Sequence, residues 1–206
     1  MTREVLVVQT GTANTASVLA GLSRAGASPV LDNDPSRLSR ADRVVLPGVG
    51  ALAAAIFRLQ RDGLIEALRE RIEDGRPTLA ICLGLQLLCN GSEESPGIPG
   101  IGVLETDVAR FPDTLRVPQM GWNKIQPGKV CRYLEFGHAY FANIYRLTTA
   151  PQDWDVAWSD HGGPFVAAVE RGDVLGCQFH PELSGPWGRD LLTRWLERRP
   201  QGGSPC

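Results

Sequence analysis

Histidine is scarce in this 206-residue chain, with only three, and the five cysteines, Cys82, Cys89, Cys131, Cys177 and Cys206, form no C-x-x-C pair. An odd, dispersed set of thiols fits neither a disulfide framework nor a zinc cluster, and a chain of this length buries enough surface to need neither. No metal site is expected, and a reducing, cytoplasmic setting is. An excess of either charge is also lacking: 21 Lys plus Arg stand against 23 Asp plus Glu, for a net charge of −2. The basic residues are scattered, so the electrostatic footprint of a nucleic-acid binder is missing. No apolar stretch approaches the roughly 20 residues that span a bilayer, so no membrane association is expected. The short apolar start, broken at Gln9, lacks the long core and cleavage site of a signal peptide.

What is present is an alternation of buried strands and amphipathic helices. Val5 to Val8 is a continuous, mostly β-branched run, the pattern of a strand covered on both faces. Asn14 or Thr15 can then cap a helix carrying Val18, Leu19 and Leu22, closing at Gly26. Pro29 to Leu31 and Arg43 to Leu46 read as strands, Ala51 to Gln60 and the Leu64, Leu68, Ile72 spacing as helices, and Thr78 to Ile81 as a further strand. From Gly91 to about Gly137 the chain is rich in Pro and Gly. Beyond it, runs at 140–141, 154–158, 165–169 and 174–179 read as strands, and Trp187 to Leu196 as a last helix. The order predicts an α/β fold: a doubly wound, mostly parallel sheet with antiparallel strands added in the second half. One domain is expected over residues 1–199, with a flexible tail over 200–206.

The segment Ala80-Ile81-Cys82-Leu83-Gly84 places a nucleophile between a buried strand and a helix, with small residues two positions to either side. A sharp strand-to-helix turn crowds neighbouring backbones and demands such small residues, as in G-x-S-x-G. A sulfur at such a turn meets helix N–H groups that favour thiolate and can bind an oxyanion. Taken alone, Cys82 reads equally well as a small buried hydrophobe.

A cysteine nucleophile needs a base, and His180 is presented at the end of the 174–179 strand, followed by Pro181-Glu182. A carboxylate two residues on can orient the imidazole and stabilise its protonated form. The bland alternative is a strand-ending turn with a surface histidine. His138 and His161, among glycines, are expected to be exposed polar residues. Gly48-Val49-Gly50-Ala51-Leu52-Ala53 matches the dinucleotide fingerprint G-x-G-x-x-A. Pro47 breaks its strand junction, however, and no ribose-binding acid ends the next strand, so a turn whose N–H groups reach an oxyanion is the better reading. There is no Walker A lysine motif, and no cofactor is expected.

Together, Pro47-Gly48-Val49-Gly50, Cys82-Leu83-Gly84-Leu85-Gln86 and Phe179-His180-Pro181-Glu182 resemble the class I (triad) glutamine amidotransferases, with their flavodoxin-like fold. Gly11-Thr12-Ala13-Asn14, Ser92-Glu93-Glu94 and above all Val117-Pro118-Gln119-Met120-Gly121-Trp122-Asn123 narrow the likeness to the branch that serves imidazole glycerol phosphate synthase. The resemblance implies that Cys82 attacks the side-chain amide of L-glutamine to form a thioester, that His180 moves protons, and that Glu182 orients it. It implies oxyanion donors at Leu83 and the Val49-Gly50 turn. Gln86 would hold the amino-acid end of the substrate, with Gly50 and the Tyr140 to Tyr145 segment, including Asn143 and Ile144, lining its pocket. It further implies a (β/α)8 cyclase subunit as partner, forming a heterodimer that receives ammonia, with Asn14 and Trp122 near the interface; core packing is the other reading of Trp122. The isolated subunit would then be a poor glutaminase until the partner's ligand reshapes the oxyanion turn.

The chain departs from the pattern in two places. Ala142-Asn143-Ile144 stands where relatives read Val-His-Ser, which leaves only backbone roles assured there, and Leu183 stands where a basic residue is common. Two further readings stay open: an amidotransferase subunit of another synthase or a paralogue outside histidine biosynthesis, and a non-enzymatic regulatory module on the same fold.

Overall fold

The computed structural model describes residues 3–11 and 14–198. The tail expected over 200–206, with Cys206, lies outside the described residues. In chain order the elements are β1 (Arg3–Val7), α1 (Thr15–Arg24), β2 (Ala27–Leu31), α2 (Pro35–Arg40), β3 (Val44–Gly48), α3 (Leu52–Arg61), α4 (Ile65–Glu73), β4 (Thr78–Cys82) and α5 (Leu83–Leu87). The second half adds β5 (Val108–Arg110), β6 (Gln119–Pro127), β7 (Gly137–Asn143), β8 (Tyr145–Leu147), β9 (Asp155–Asp160), β10 (Pro164–Arg171), β11 (Val174–Cys177), a 3-10 turn (Pro181–Leu183) and α6 (Gly185–Glu197).

These strands form one mixed sheet in the order β2-β1-β3-β4-β11-β10-β9-β6-β7, with β8 also pairing β10 and β5. The stretch from β2 to β11 is parallel, and the strand-to-strand ladders beyond it are antiparallel. Both parts of the expected α/β fold are thus present. The apolar runs are explained by double cover: Leu6, Val44, Leu46 and Ala80 pack with α3 and α4 on one side of the sheet. Val5, Val7, Val45, Leu79 and Ile81 pack with α1 and α6 on the other.

Local chemistry sets the helix starts. Asn14 caps α1 by accepting from the Ser17 N–H at 3.5 Å, and Asp34 caps α2 from Ser36, with Pro35 in the first turn. The sequence reading assigns no element to α2, which is a single short segment with one buried apolar residue, Leu38. The Pro- and Gly-rich stretch 91–137, where no strand is expected, holds the nine-residue β6, which runs against β7 and β9. In β6 only Gln119 and Ile125 are buried, so the strand carries no period-two apolar signal. Among the described residues no helix is long and apolar enough to cross a membrane.

Candidate active site

Parallel strands all end at the same edge of the sheet, and ligands of open α/β sheets sit outside those carboxyl ends. Here β4 lies between β3 and β11, so the residues that follow these three strands converge. In register, Gly48 pairs with Cys82 and Cys177 with Ile81. The Val49-Gly50 turn therefore flanks Cys82 on one side and His180 flanks it on the other.

Cys82 adopts φ 55° and ψ −109°, a left-handed conformation that a side chain tolerates only when its surroundings enforce it. The enforcement is visible at Gly84, where an added Cβ would lie 2.0 Å from the Leu46 carbonyl oxygen. The elbow turns so tightly that α5 begins in contact with the backbone of β3. Gly50, at φ +85°, makes the neighbouring turn. The first N–H groups of α5 have no carbonyl partner within the helix and directly follow Cys82, its N-cap, in the chain.

His180 and Glu182 meet inside a pinned turn. The His180 Nδ1 lies 2.8 Å from Glu182 Oε1, and both side chains are buried. The His180 N–H donates to the Tyr140 carbonyl, while Ser184 Oγ donates to the His180 carbonyl at 2.7 Å and accepts from the Tyr140 N–H at 2.9 Å. Burial works against protonation of His180, but hydrogen bonds to Cys82 and Glu182 and their negative charge outweigh it. The imidazole is lifted from 6.5 to about 10. The arrangement thus favours an imidazolium beside the sulfur. Burial pushes the Cys89, Cys131 and Cys177 thiols up, so these three stay protonated and unreactive.

A cavity of about 340 Å³ opens beside Cys82. Its lining brings together Val49, Gly50, Leu83, Gln86 and, from the Tyr140 to Tyr145 segment, Ala142, Asn143, Ile144 and Tyr145, all expected from sequence, and adds Ala51 and Glu94. Asn143 is buried and its Nδ2 donates to the Tyr145 carbonyl at 3.0 Å; Ile144 is partly exposed and its carbonyl accepts from the Phe111 N–H. Glu94 Oε2 accepts from the Leu52 N–H at 2.7 Å, supplying α3 with the cap its own Ala51 lacks.

Asn14 lies at the rim of a small adjoining cavity lined also by Val49, His180 and Glu182. Trp122 is 57% exposed and Met120 is 66% exposed on the same strand, with the Trp122 ring edge-on to Tyr140. Core packing of Trp122 is thereby excluded. His138 is exposed as expected, but His161 is half-buried. Its ring stands edge-on to Phe111 and its Nε2 contacts the Arg116 carbonyl at 3.0 Å, because the glycine-rich turn folds it against the β5 end.

Gln178, which no motif in the sequence marks, places its Nε2 3.7 Å from Cys82 Sγ. The signal available was a carboxamide in an otherwise apolar run, since a polar residue on a doubly covered strand must find a partner.

Residues 6–198 match the family described as Glutamine amidotransferase class-I. The chain is similar, at 40% identity over 196 residues, to the imidazole glycerol phosphate synthase subunit HisH of Symbiobacterium thermophilum, covering 93% of this chain and 92% of the relative. It is 40% identical over 199 residues to the HisH subunit of Yersinia pseudotuberculosis, covering 94% and 99%. Imidazole glycerol phosphate synthase hisHF of Arabidopsis thaliana matches at 40% identity over 199 residues, covering 93% of this chain but 34% of the plant protein. Among solved structures, a glutamine amidotransferase superposes with a TM-score of 0.75 at 22% identity, covering 94% of this chain and 97% of that one.

Proposed function

The chain belongs to the class I glutamine amidotransferases, and we propose that it is the glutaminase subunit of an imidazole glycerol phosphate synthase, releasing ammonia from L-glutamine at Cys82. The observation that carries this reading is that Cys82, on the wall of the cavity, is met by His180 from the adjacent strand end, with Glu182 bonded behind it.

The thiolate of Cys82 attacks the carboxamide carbon of glutamine, forming a C–S bond. The charge that develops on the oxygen is met by the N–H groups of Leu83 and the Val49-Gly50 turn. His180, held protonated, gives its proton to the amide nitrogen, the C–N bond breaks, and ammonia leaves behind a γ-glutamyl thioester. The now neutral His180 takes a proton from water, whose oxygen attacks the thioester; glutamate departs and the thiolate and imidazolium are restored. Glu182 keeps Nδ1 protonated throughout, so that Nε2 is the nitrogen that exchanges the proton. Gln86, Asn143, Ile144 and the carboxylate of Glu94 surround the amino-acid end of the substrate.

Ammonia released into water is protonated and diluted, so it must pass directly to its consumer. We place that consumer, a (β/α)8 cyclase making imidazole glycerol phosphate and an aminoimidazole carboxamide ribotide, against the face bearing Asn14, Met120 and Trp122, in a cytoplasmic heterodimer. In the plant relative the matched region is about a third of the protein, in keeping with a glutaminase and its consumer joined in one polypeptide. The test is Cys82→Ala in the complex with the cyclase. Glutamine-dependent cyclisation should vanish while ammonia-dependent cyclisation persists. Loss of both activities would give Cys82 a different role.

A further inference from the structure

We propose that Gln178 is a positioning residue: its buried carboxamide offers a hydrogen-bond donor to the Cys82 sulfur and, through Gln86, fixes which atom of Gln86 faces the substrate. The proposal deepens the glutaminase reading and rests on it for its substrate half.

Gln178 follows β11, two residues before His180, and is completely buried. Its backbone N–H donates to the Ala167 carbonyl at 2.8 Å, so its side chain leaves a fixed point of the sheet. A carboxamide removed from water is costly unless both of its ends are bonded. Here Nε2 reaches Cys82 Sγ at 3.7 Å and Oε1 accepts from Gln86 Nε2 at 2.9 Å. The same Gln86 Nε2 donates to the Tyr145 carbonyl at 3.3 Å.

The polarity of this chain of groups has one consistent solution. A backbone carbonyl can only accept, so Tyr145 turns the amino group of Gln86 inward. That amino group then requires an acceptor at Gln178, which puts the Gln178 oxygen toward Gln86 and its amino group toward sulfur. A sulfur presented with a donor is stabilised as thiolate relative to thiol. The direction of every bond from Tyr145 to Cys82 thus follows from one main-chain carbonyl.

The same logic determines the cavity wall. With its amino group committed inward, Gln86 turns Oε1 toward the substrate. Asn143 holds the same carbonyl, since its Nδ2 also donates to Tyr145, while its Oδ1 is fully covered and does not open on the cavity. With Glu94 on the same cavity, Gln86 and Glu94 supply acceptors, which suit the α-ammonium group of an amino acid. The charged groups around Cys82 are His180 in contact, Glu182 behind it, and Glu94 across the cavity. Gln178 is the neutral member that joins the sulfur to the substrate-binding wall.

Two variants of the full chain separate the halves of this role. Gln178→Met keeps the length but removes donor and acceptor; Gln178→Glu keeps an oxygen for Gln86 and sets a carboxylate against sulfur. The rate of Cys82 alkylation by iodoacetamide, followed on the Cys82 peptide against pH without glutamine, reads the sulfur. Glutamine KM and kcat in the complex with the cyclase read the wall, and a thermal melt verifies folding. For Gln178→Met the alkylation midpoint should rise by about one pH unit and KM by about tenfold. For Gln178→Glu the midpoint should rise further while KM stays within about twofold of the parent. Wild-type alkylation profiles in both folded variants, or an equal rise of KM in both, would overturn the proposal. If the parent complex hydrolyses no glutamine, the glutaminase reading fails, yet the alkylation profiles still decide whether Gln178 acts on the sulfur.

Discussion

Nδ1 of His180 and Oε1 of Glu182 lie 2.8 Å apart with only Pro181 between them in the chain. Two residues so close in sequence meet through their side chains because the proline starts a 3-10 turn and Ser184 bonds the turn to the His180 carbonyl. The second oxygen of Glu182 has no hydrogen-bond partner among the described residues, which concentrates the carboxylate's interaction on the imidazole.

The pairing makes stability depend on pH with a definite sign. His180 is raised from 6.5 to about 10 in the folded chain, so the native state holds this proton more tightly than the unfolded one. Its contribution is full below the ordinary value of 6.5 and is lost as pH climbs through about 10. Urea midpoints of the parent and of His180→Gln, measured across this range, should converge toward the alkaline end. A gap that stays constant would contradict the ion pair.

Gly84→Ala should be severe for a small change. The new methyl would stand 2.0 Å from the Leu46 carbonyl oxygen, a backbone atom held in the middle of the sheet. We expect a loss of about 3 kcal/mol in stability, at the upper end of overpacking effects, by chemical denaturation. Cys82 should lose its elbow geometry too, so glutaminase activity should fall even where the variant remains folded.

Glu170 accepts from three successive backbone N–H groups, those of Arg132, Tyr133 and Leu134, at 2.7, 3.1 and 3.0 Å. This buried carboxylate of β10 organises the connection between β6 and β7, which has little apolar patterning of its own. Glu170→Ala leaves three donors without their acceptor and should cost about 3 kcal/mol, read as a lower melting temperature. Because Glu170 lies away from the cavity, kcat measured well below the melt should be nearly unchanged.

Trp122→Ala should leave the fold intact, since the ring is 57% exposed. If this face docks the cyclase, removing a central aromatic side chain should weaken association by about 2 kcal/mol, roughly thirtyfold in Kd. Titration calorimetry against the cyclase measures it directly. An unchanged Kd would move the interface elsewhere.

The sequence by itself determined the strands that are buried on both faces, a helix start at Asn14 or Thr15 and the small residues of an elbow around Cys82, because each depends on residues within a few positions of one another. It also pointed to His180 and Glu182, whose relation is local. Only the tertiary structure decided that β11 returns to lie beside β4 rather than at an edge, which sets His180 against Cys82 across almost a hundred residues of chain. Strand order is a matter of how sheets bury both faces, and no local pattern encodes it. The role of Gln178 was hidden for the same reason: a carboxamide in an apolar run announces that it has partners, but Cys82, Gln86 and the Tyr145 carbonyl become those partners only when three separate strand ends meet.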